Sequence, residues 1–231
     1  MLTQLKKIKK ALISEGKLVK YLSYIVGEIL LVAIGILIAL QVDNWDKDQD
    51  NRKFERQYYQ SMKTELLEDK KELIGQIEYG KRYKKQYNKA IDIINRHDRK
   101  KVNELGFIAT ELKNFSDFRR KSSIYQTLVN SGEIKHVQNH SIIGALQDLE
   151  SEYLYIERLE DVHRQAAMDN LSTWVISAIQ WQPFKVHKPE LLYGHIVNNT
   201  FVLIVGLIDE KNQVYQNAID IIDKIIEMLD K

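Results

Sequence analysis

The sequence predicts an all-α protein: one N-terminal transmembrane helix continuing into a long-helix, up-down-up-down antiparallel bundle. Three observations carry this. The stretch Tyr24 to Val42 reads YIVGEILLVAIGILIALQV and holds one formal charge, Glu28. The chain of 231 residues has only two prolines and ten glycines, so helix breakers are few. Elsewhere apolar residues recur at three- and four-residue steps, and no segment alternates convincingly with period two.

Each element follows in turn. At ~1.5 Å per residue a helix over the apolar stretch nearly covers the ~30 Å hydrocarbon core of a bilayer. Soluble helices of that length keep a polar face, and this one has none. Before it, Lys6, Lys7, Lys9 and Lys10 are followed by Lys17 and Lys20, and Leu2, Leu5, Ile8 and Leu12 recur at helical spacing. Residues 1–20 suit a basic amphipathic helix on an anionic leaflet, or a plain basic topology signal. The far flank mixes Asp43, Asp46, Asp48 and Asp50 with Lys47, Arg52, Lys53 and Arg56. Lysine and arginine near membrane ends set orientation, which puts the N-terminus in the cytoplasm and the rest of the chain outside. No Ala-x-Ala site follows the apolar run, so an uncleaved signal anchor is expected. Tyr21, Tyr24 and Trp45 stand where interfacial aromatics belong. The resulting division is 1–20 cytoplasmic, 21–45 transmembrane and 46–231 extracytoplasmic.

Glu28 is the odd residue of the span. A carboxyl group in lipid is costly, and Gly35 and Ala39 lie close to its helical face. Glu28, Gly35 and Ala39 therefore mark an expected helix–helix seam, with membrane lipids and further copies of the chain as partners. The bland alternative lets Glu28 reach headgroups or water.

The motifs Gly27-Glu28-Ile29, Ile34-Gly35-Ile36-Leu37-Ile38-Ala39-Leu40-Gln41 and Asn44-Trp45 resemble the head of a large family of uncharacterised membrane proteins from Bacteroidota. A looser similarity lies at Tyr125, Leu128 and Asn130-Ser131-Gly132. The resemblance implies a bacterial inner-membrane protein and brings no catalytic residue with it.

Four helical arms are expected after the span: about 46–96, 103–132, 141–182 and 190–230. In the first, Phe54, Tyr58, Met62, Leu66, Leu73, Ile77, Tyr87, Ile91 and Ile94 form one stripe, and Gly75 and Gly80 mark the expected bend. The second carries Leu105, Ile108, Ala109, Leu112 and Phe115 on one face. Ser122 or Ser123 then opens a short helix closed by Gly132. The third arm starts at Asn139 or Ser141 and buries Ile142, Leu146, Leu149, Tyr153, Ile156, His163, Ala167, Leu171, Trp174 and Ala178. The fourth keeps Tyr215, Ile219, Ile222, Ile226 and Leu229 in step. Its Phe201 to Ile208 run is too short to span a bilayer.

Chemistry-bearing patterns are sparse. With no cysteine, thiolate metal sites and cysteine nucleophiles are excluded. His136 and His140 are four apart, yet a helix boundary at Asn139 separates them and no third ligand is evident. Arg158 and His163 resemble the Arg-x-x-x-x-His signature of HEPN ribonucleases, but a five-residue step turns them to different faces of a helix. The carboxylates Glu150, Glu152, Glu157, Glu160 and Asp161 read as a wet face. The net charge of +2 gives no pull towards nucleic acid. The leading expectation is a non-enzymatic, membrane-anchored, oligomeric module presenting its bundle to an unidentified protein partner or ligand, without cofactor or metal. A pore with Glu28 in its seam and a nuclease using Arg158 and His163 are the alternatives.

Overall fold

The computed structural model describes residues 17–121, 123–137 and 139–230. Lys6, Lys7, Lys9 and Lys10, with most of the expected amphipathic segment, lie outside them. Among the described residues the protein is all-α, apart from one small hairpin. Helix α1 is Lys17–Asn95, followed by α2 (Val102–Thr110), α3 (Ile124–Ser131), α4 (His140–Asn170) and α5 (Ile176–Ala178). The hairpin strands β1 (Ile179–Trp181) and β2 (Phe184–Val186) come next, then α6 (Pro189–Leu192) and α7 (His195–Leu229). The chain forms two compact units, Met1–Arg56 and Gln57–Lys231.

In the first unit every described residue is helical. The apolar stretch is long and apolar enough to cross a membrane, by length and composition, and none of it is buried. Leu31 and Tyr24 are each 74% exposed and Trp45 is 62% exposed.

The second unit is held by helix packing. Along α1, Met62, Leu66, Leu73, Ile77, Tyr87 and Ile94 are buried, as their spacing requires. All ten residues expected on the buried face of the third arm are buried. Among the described residues, three ion pairs join α1 to α7 and its C-cap: Lys63 to Asp230, Lys70 to Asp223 and Lys84 to Asp209, each at 2.5 Å. A step of seven residues up α1 is matched by a step of seven down α7, so the two helices run antiparallel in a constant register. Being partly exposed, each pair is worth about 0.2–1 kcal/mol, and their contribution is to register more than to stability.

Several expectations are corrected. The first helix runs on through Gly75 and Gly80, continuous from Lys17 to Asn95. Gly80 instead permits a close approach: a Cβ there would stand 3.0 Å from Asn212 Oδ1 and 3.3 Å from Ile208 Cγ2. The first helical stretch of the second arm, expected from Val102 to Arg120, is shorter. It breaks after the 3-10 turn Glu111–Lys113, where Asn114 turns extended at φ −98°, ψ 112°. Ser123 occupies the N-cap position of α3, but its hydroxyl makes no capping bond. Gly132 closes α3 at φ 72°, and the Asn139 side chain accepts from Ser141 N–H at 3.0 Å to open α4. The third arm ends at Ala178, after a π-helical turn over Leu171–Val175. The next residues form the antiparallel hairpin, pairing Ile179 with Val186, Gln180 with Lys185 and Trp181 with Phe184.

Buried apolar residues form two clusters. One gathers Leu66, Leu73, Ile77, Phe118, Leu146, Ile156, Tyr215 and Ile222 among others. The other gathers Tyr87, Leu105, Leu112, Trp174, Phe201, Ile204 and Ile208. On three of the four arms a buried polar residue marks the change of cluster. Ser116 lies between Leu112 and Phe118, Glu160 and His163 between Leu159 and Leu171, and Lys211 between Ile208 and Val214. A polar layer thus separates two oily ones.

Candidate functional site

The layer is organised by residues Asn114 to Lys121, an extended segment that pairs with no strand among the described residues. Burial alternates along it: Ser116 and Phe118 are inside, Asp117 and Arg119 outside. Its backbone groups must still find partners, and they find side chains of the helices. On one side, α1 presents Asp69, Glu72 and Gln76, spaced at three and four residues and so on one helical face. Asp69 Oδ1 accepts from Lys121 N–H at 2.5 Å, Glu72 Oε1 from Arg119 N–H at 3.0 Å, and Gln76 Oε1 from Asp117 N–H at 3.2 Å. Gln76 Nε2 returns a bond to Asp117 carbonyl at 2.9 Å. Alternate residues of an extended chain point the same way, and a helical face meets them at almost the same spacing.

The other side of the segment faces α4 and α7. Phe118 N–H donates to Glu160 Oε1 at 2.7 Å, and Tyr215 hydroxyl donates to the same oxygen at 2.5 Å. Lys211 Nζ donates to Ser116 carbonyl at 3.0 Å, and Tyr215 hydroxyl also lies 3.3 Å from Ser116 Oγ. Beside them Tyr153 hydroxyl donates to Asp69 Oδ2 at 2.8 Å. Asp69, Lys211 and Tyr215 are essentially inaccessible to solvent.

Burial dominates the electrostatics. It pushes Glu160 above the usual carboxylate range despite its two donors and the nearby Lys211 ammonium. It pulls Lys211 down to about 8 against the attraction of Glu160 and Asp117. Burial, with Lys211 adding repulsion, holds His163 neutral by lowering it to about 3. Both ring nitrogens of His163 are buried without a hydrogen-bond partner. The Phe115 ring lies 5.8 Å away, centroid to centroid.

A groove of about 500 Å³ opens beside this layer, lined by Phe118, Tyr153, Arg119, Arg120, Glu157 and Arg164 among others. Its charges largely satisfy one another. Arg120 pairs with Glu150 at 2.8 Å, Arg164 with Asp161 at 2.8 Å and Arg119 with Asp117 at 3.2 Å.

The residues singled out from the sequence fall as follows. Glu28, Gly35 and Ala39 lie on exposed helix, and a Cβ at Gly35 would meet nothing within 4 Å. Tyr24 and Trp45 are exposed, and Tyr21 is helical. Arg158 is exposed, stacked 5.7 Å above the Tyr155 ring, while His163 is buried, so the two do not converge on one site. His140 begins α4, on the other side of Asn139 from His136. Glu150 and Glu160 are not on a wet face: one is largely covered and the other buried, each with partners. Asp69, Ser116 and Lys211 are buried without any expectation from the sequence that they would be. The Asn-Phe-Ser-Asp run at 114–117 does carry a signal, since Asn, Ser and Asp disfavour helix interiors.

No curated protein and no solved structure matches the chain. A sequence family does match, over residues 28–172. That interval begins at the carboxylate inside the apolar stretch. It includes the extended segment, Asp69, Glu72, Gln76, Glu160 and His163, and ends before Lys211 and Tyr215. The chain belongs to DUF6090, a family of unknown function.

Proposed function

We propose that the chain is a single-pass, membrane-anchored helical module that acts by binding and not by catalysis. The observation that carries this is the stretch Leu22 to Val42, where almost every residue is apolar and almost every one is exposed. A water-soluble protein does not leave such a surface uncovered, and lipid covers it without a protein partner. The basic N-terminal flank favours a cytoplasmic N-terminus, and the resemblance of the apolar motif to bacterial membrane proteins favours the inner membrane with the bundle on its periplasmic side. Antiparallel register between α1 and α7 supports an up-down-up-down arrangement of the four arms. Glu28, Gly35 and Ala39 form the seam through which copies associate, since small residues let helix backbones approach and a carboxyl group in lipid gains from a neighbour. Non-catalytic action is favoured because the buried polar groups mostly bond the chain's own backbone and the groove's arginines are internally paired.

The test is topology. A C-terminal reporter fused after Lys231 is expected to be active only when its readout requires export, and the protein to stay in the membrane fraction after carbonate washing. Labelling of the C-terminus by cytosolic reagents alone, or recovery in water without detergent, would overturn the proposal. In native membranes, crosslinking through the span is expected to capture a second copy and to weaken on Gly35→Leu.

A further inference from the structure

The end of the second unit where α1 gives way to α2 differs in chemistry from its flanks. The β1–β2 hairpin is seated there on α2. Gly106 permits this, because a Cβ at that position would lie 2.7 Å from Val186 Cγ2 and 3.4 Å from Phe184 Cζ. The seat brings three aromatic rings together at the surface. Phe107 and Phe184 meet edge to face at 6.3 Å, and Trp181 pairs with Phe184 across the hairpin. They remain 57%, 39% and 44% exposed for Phe107, Phe184 and Trp181. An aromatic cluster of this size exposed on a folded unit is a contact surface in search of a partner.

The charges around it say which partner. Lys113 stands 5.3 Å above the Trp181 ring, and Lys185 and Lys188 follow in and after the second strand. The turn Arg99–Lys101 adds three more cations beside α2. Among the described residues none of these six is joined to a carboxylate, whereas the lysines on the flank, Lys63, Lys70 and Lys84, each hold an aspartate. Of the carboxylates nearby, Glu104 is held by Lys89, Asp98 caps the turn, Glu111 accepts from Asn114, and Glu190 stands exposed at the start of α6. The end surface is therefore basic and aromatic together. Lysines that reach for phosphate, set around rings that settle among headgroups, are the chemistry of an interfacial membrane contact.

The geometry points to this end of the bundle as a docking surface for an anionic lipid bilayer. It is a second membrane contact, independent of the apolar stretch and of the N-terminal lysines. Trp181, Phe184 and Phe107 enter the headgroup region, and Lys113, Lys185 and Lys188 meet lipid phosphates.

The experiment uses the full chain reconstituted in nanodiscs of phosphatidylcholine alone, and asks which added vesicles it captures in flotation. Vesicles with about a third phosphatidylglycerol are expected to be captured and pure phosphatidylcholine vesicles not, with capture falling as salt is raised. Lys185→Gln and Lys188→Gln are each expected to weaken capture about five-fold. Trp181→Ala with Phe184→Ala should weaken it by about ten-fold or more. Lys84→Gln on the flank and glutamine at Lys6, Lys7, Lys9 and Lys10 are expected to leave it unchanged. Circular dichroism of each variant confirms that the helices persist. Capture of neutral vesicles to the same extent, absence of capture, or loss of capture only on changing the N-terminal lysines would overturn the proposal. A chain that stays soluble without a nanodisc would sink the anchoring reading alone, and the same flotation assay would then be run on it directly.

Discussion

Two regions of this protein break the ordinary rule of burial in opposite directions. Leu22 to Val42 exposes an oily surface on every side. The polar layer of Ser116, Glu160, His163 and Lys211 hides ionisable and polar groups between two oily clusters. The first leaves its apolar surface to whatever surrounds it. Apart from His163, whose ring nitrogens stay unbonded, the second is answered from within, by side chains aimed at the main chain of one extended segment. The difference teaches where each region's stability comes from: one depends on its surroundings, the other on geometry that cannot be changed at one atom without stranding another.

Breaking that geometry should have the largest effect. Glu160→Ala leaves Phe118 N–H and Tyr215 hydroxyl without their acceptor and Lys211 without its main counter-charge. An expected loss of about 3–5 kcal/mol would appear as a lowered denaturant midpoint. Replacing both charges, with Glu160→Leu and Lys211→Met together, should recover most of that loss, because no buried ion is then left alone. Failure to recover would mean that the hydrogen bonds to the segment, not the charges, dominate.

The oily stretch should respond to charge alone. Leu31→Arg near its middle is expected to cost about 2.5–3.5 kcal/mol of insertion and to shift the protein out of the washed membrane fraction. The same change at Val129, on the exposed face of α3, should have no effect on fractionation. Equal behaviour of the two variants would erase the distinction between the regions.

His163 sharpens the comparison through pH. Its folded pKa of about 3 lies below the ordinary imidazole value. The unfolded chain therefore takes up a proton first as pH falls, and stability declines between roughly pH 6.5 and 3. The slope from this residue reaches about 1.4 kcal/mol per pH unit. His163→Phe should remove that part of the acid sensitivity, as measured by unfolding midpoints at pH 7 and pH 4. The smallest effect is expected at the flank, where Lys70→Ala should cost about 0.2–1 kcal/mol because its pair with Asp223 is partly exposed.

Much of this can be read from the sequence, and what cannot shares one cause. The α4 stripe from Ile142 to Ala178 is legible because local spacing decides it. Asp69 and Lys211 are illegible because their burial is decided by residues far along the chain. Tyr153 lies 84 residues from Asp69, and Ser116 lies 95 from Lys211. Periodicity assigns a charged residue to solvent unless a distant partner overrules it. The extended segment is hidden because Leu112 and Phe115 continue the helical spacing past the point where Asn114 ends the helix. The hairpin is hidden because three residues per strand are too few to show alternation.

The fastening of Asn114–Lys121 has a further consequence. The helices grip its amides and carbonyls, which every residue but proline supplies alike. The outward side chains at 119 and 121 are consequently free to be rewritten without loosening the scaffold, whereas Asp117 also attracts the buried Lys211 ammonium. A ribbon tied by its spine can change what it displays, and Arg119 is the part of the groove wall that descent can retailor at least cost.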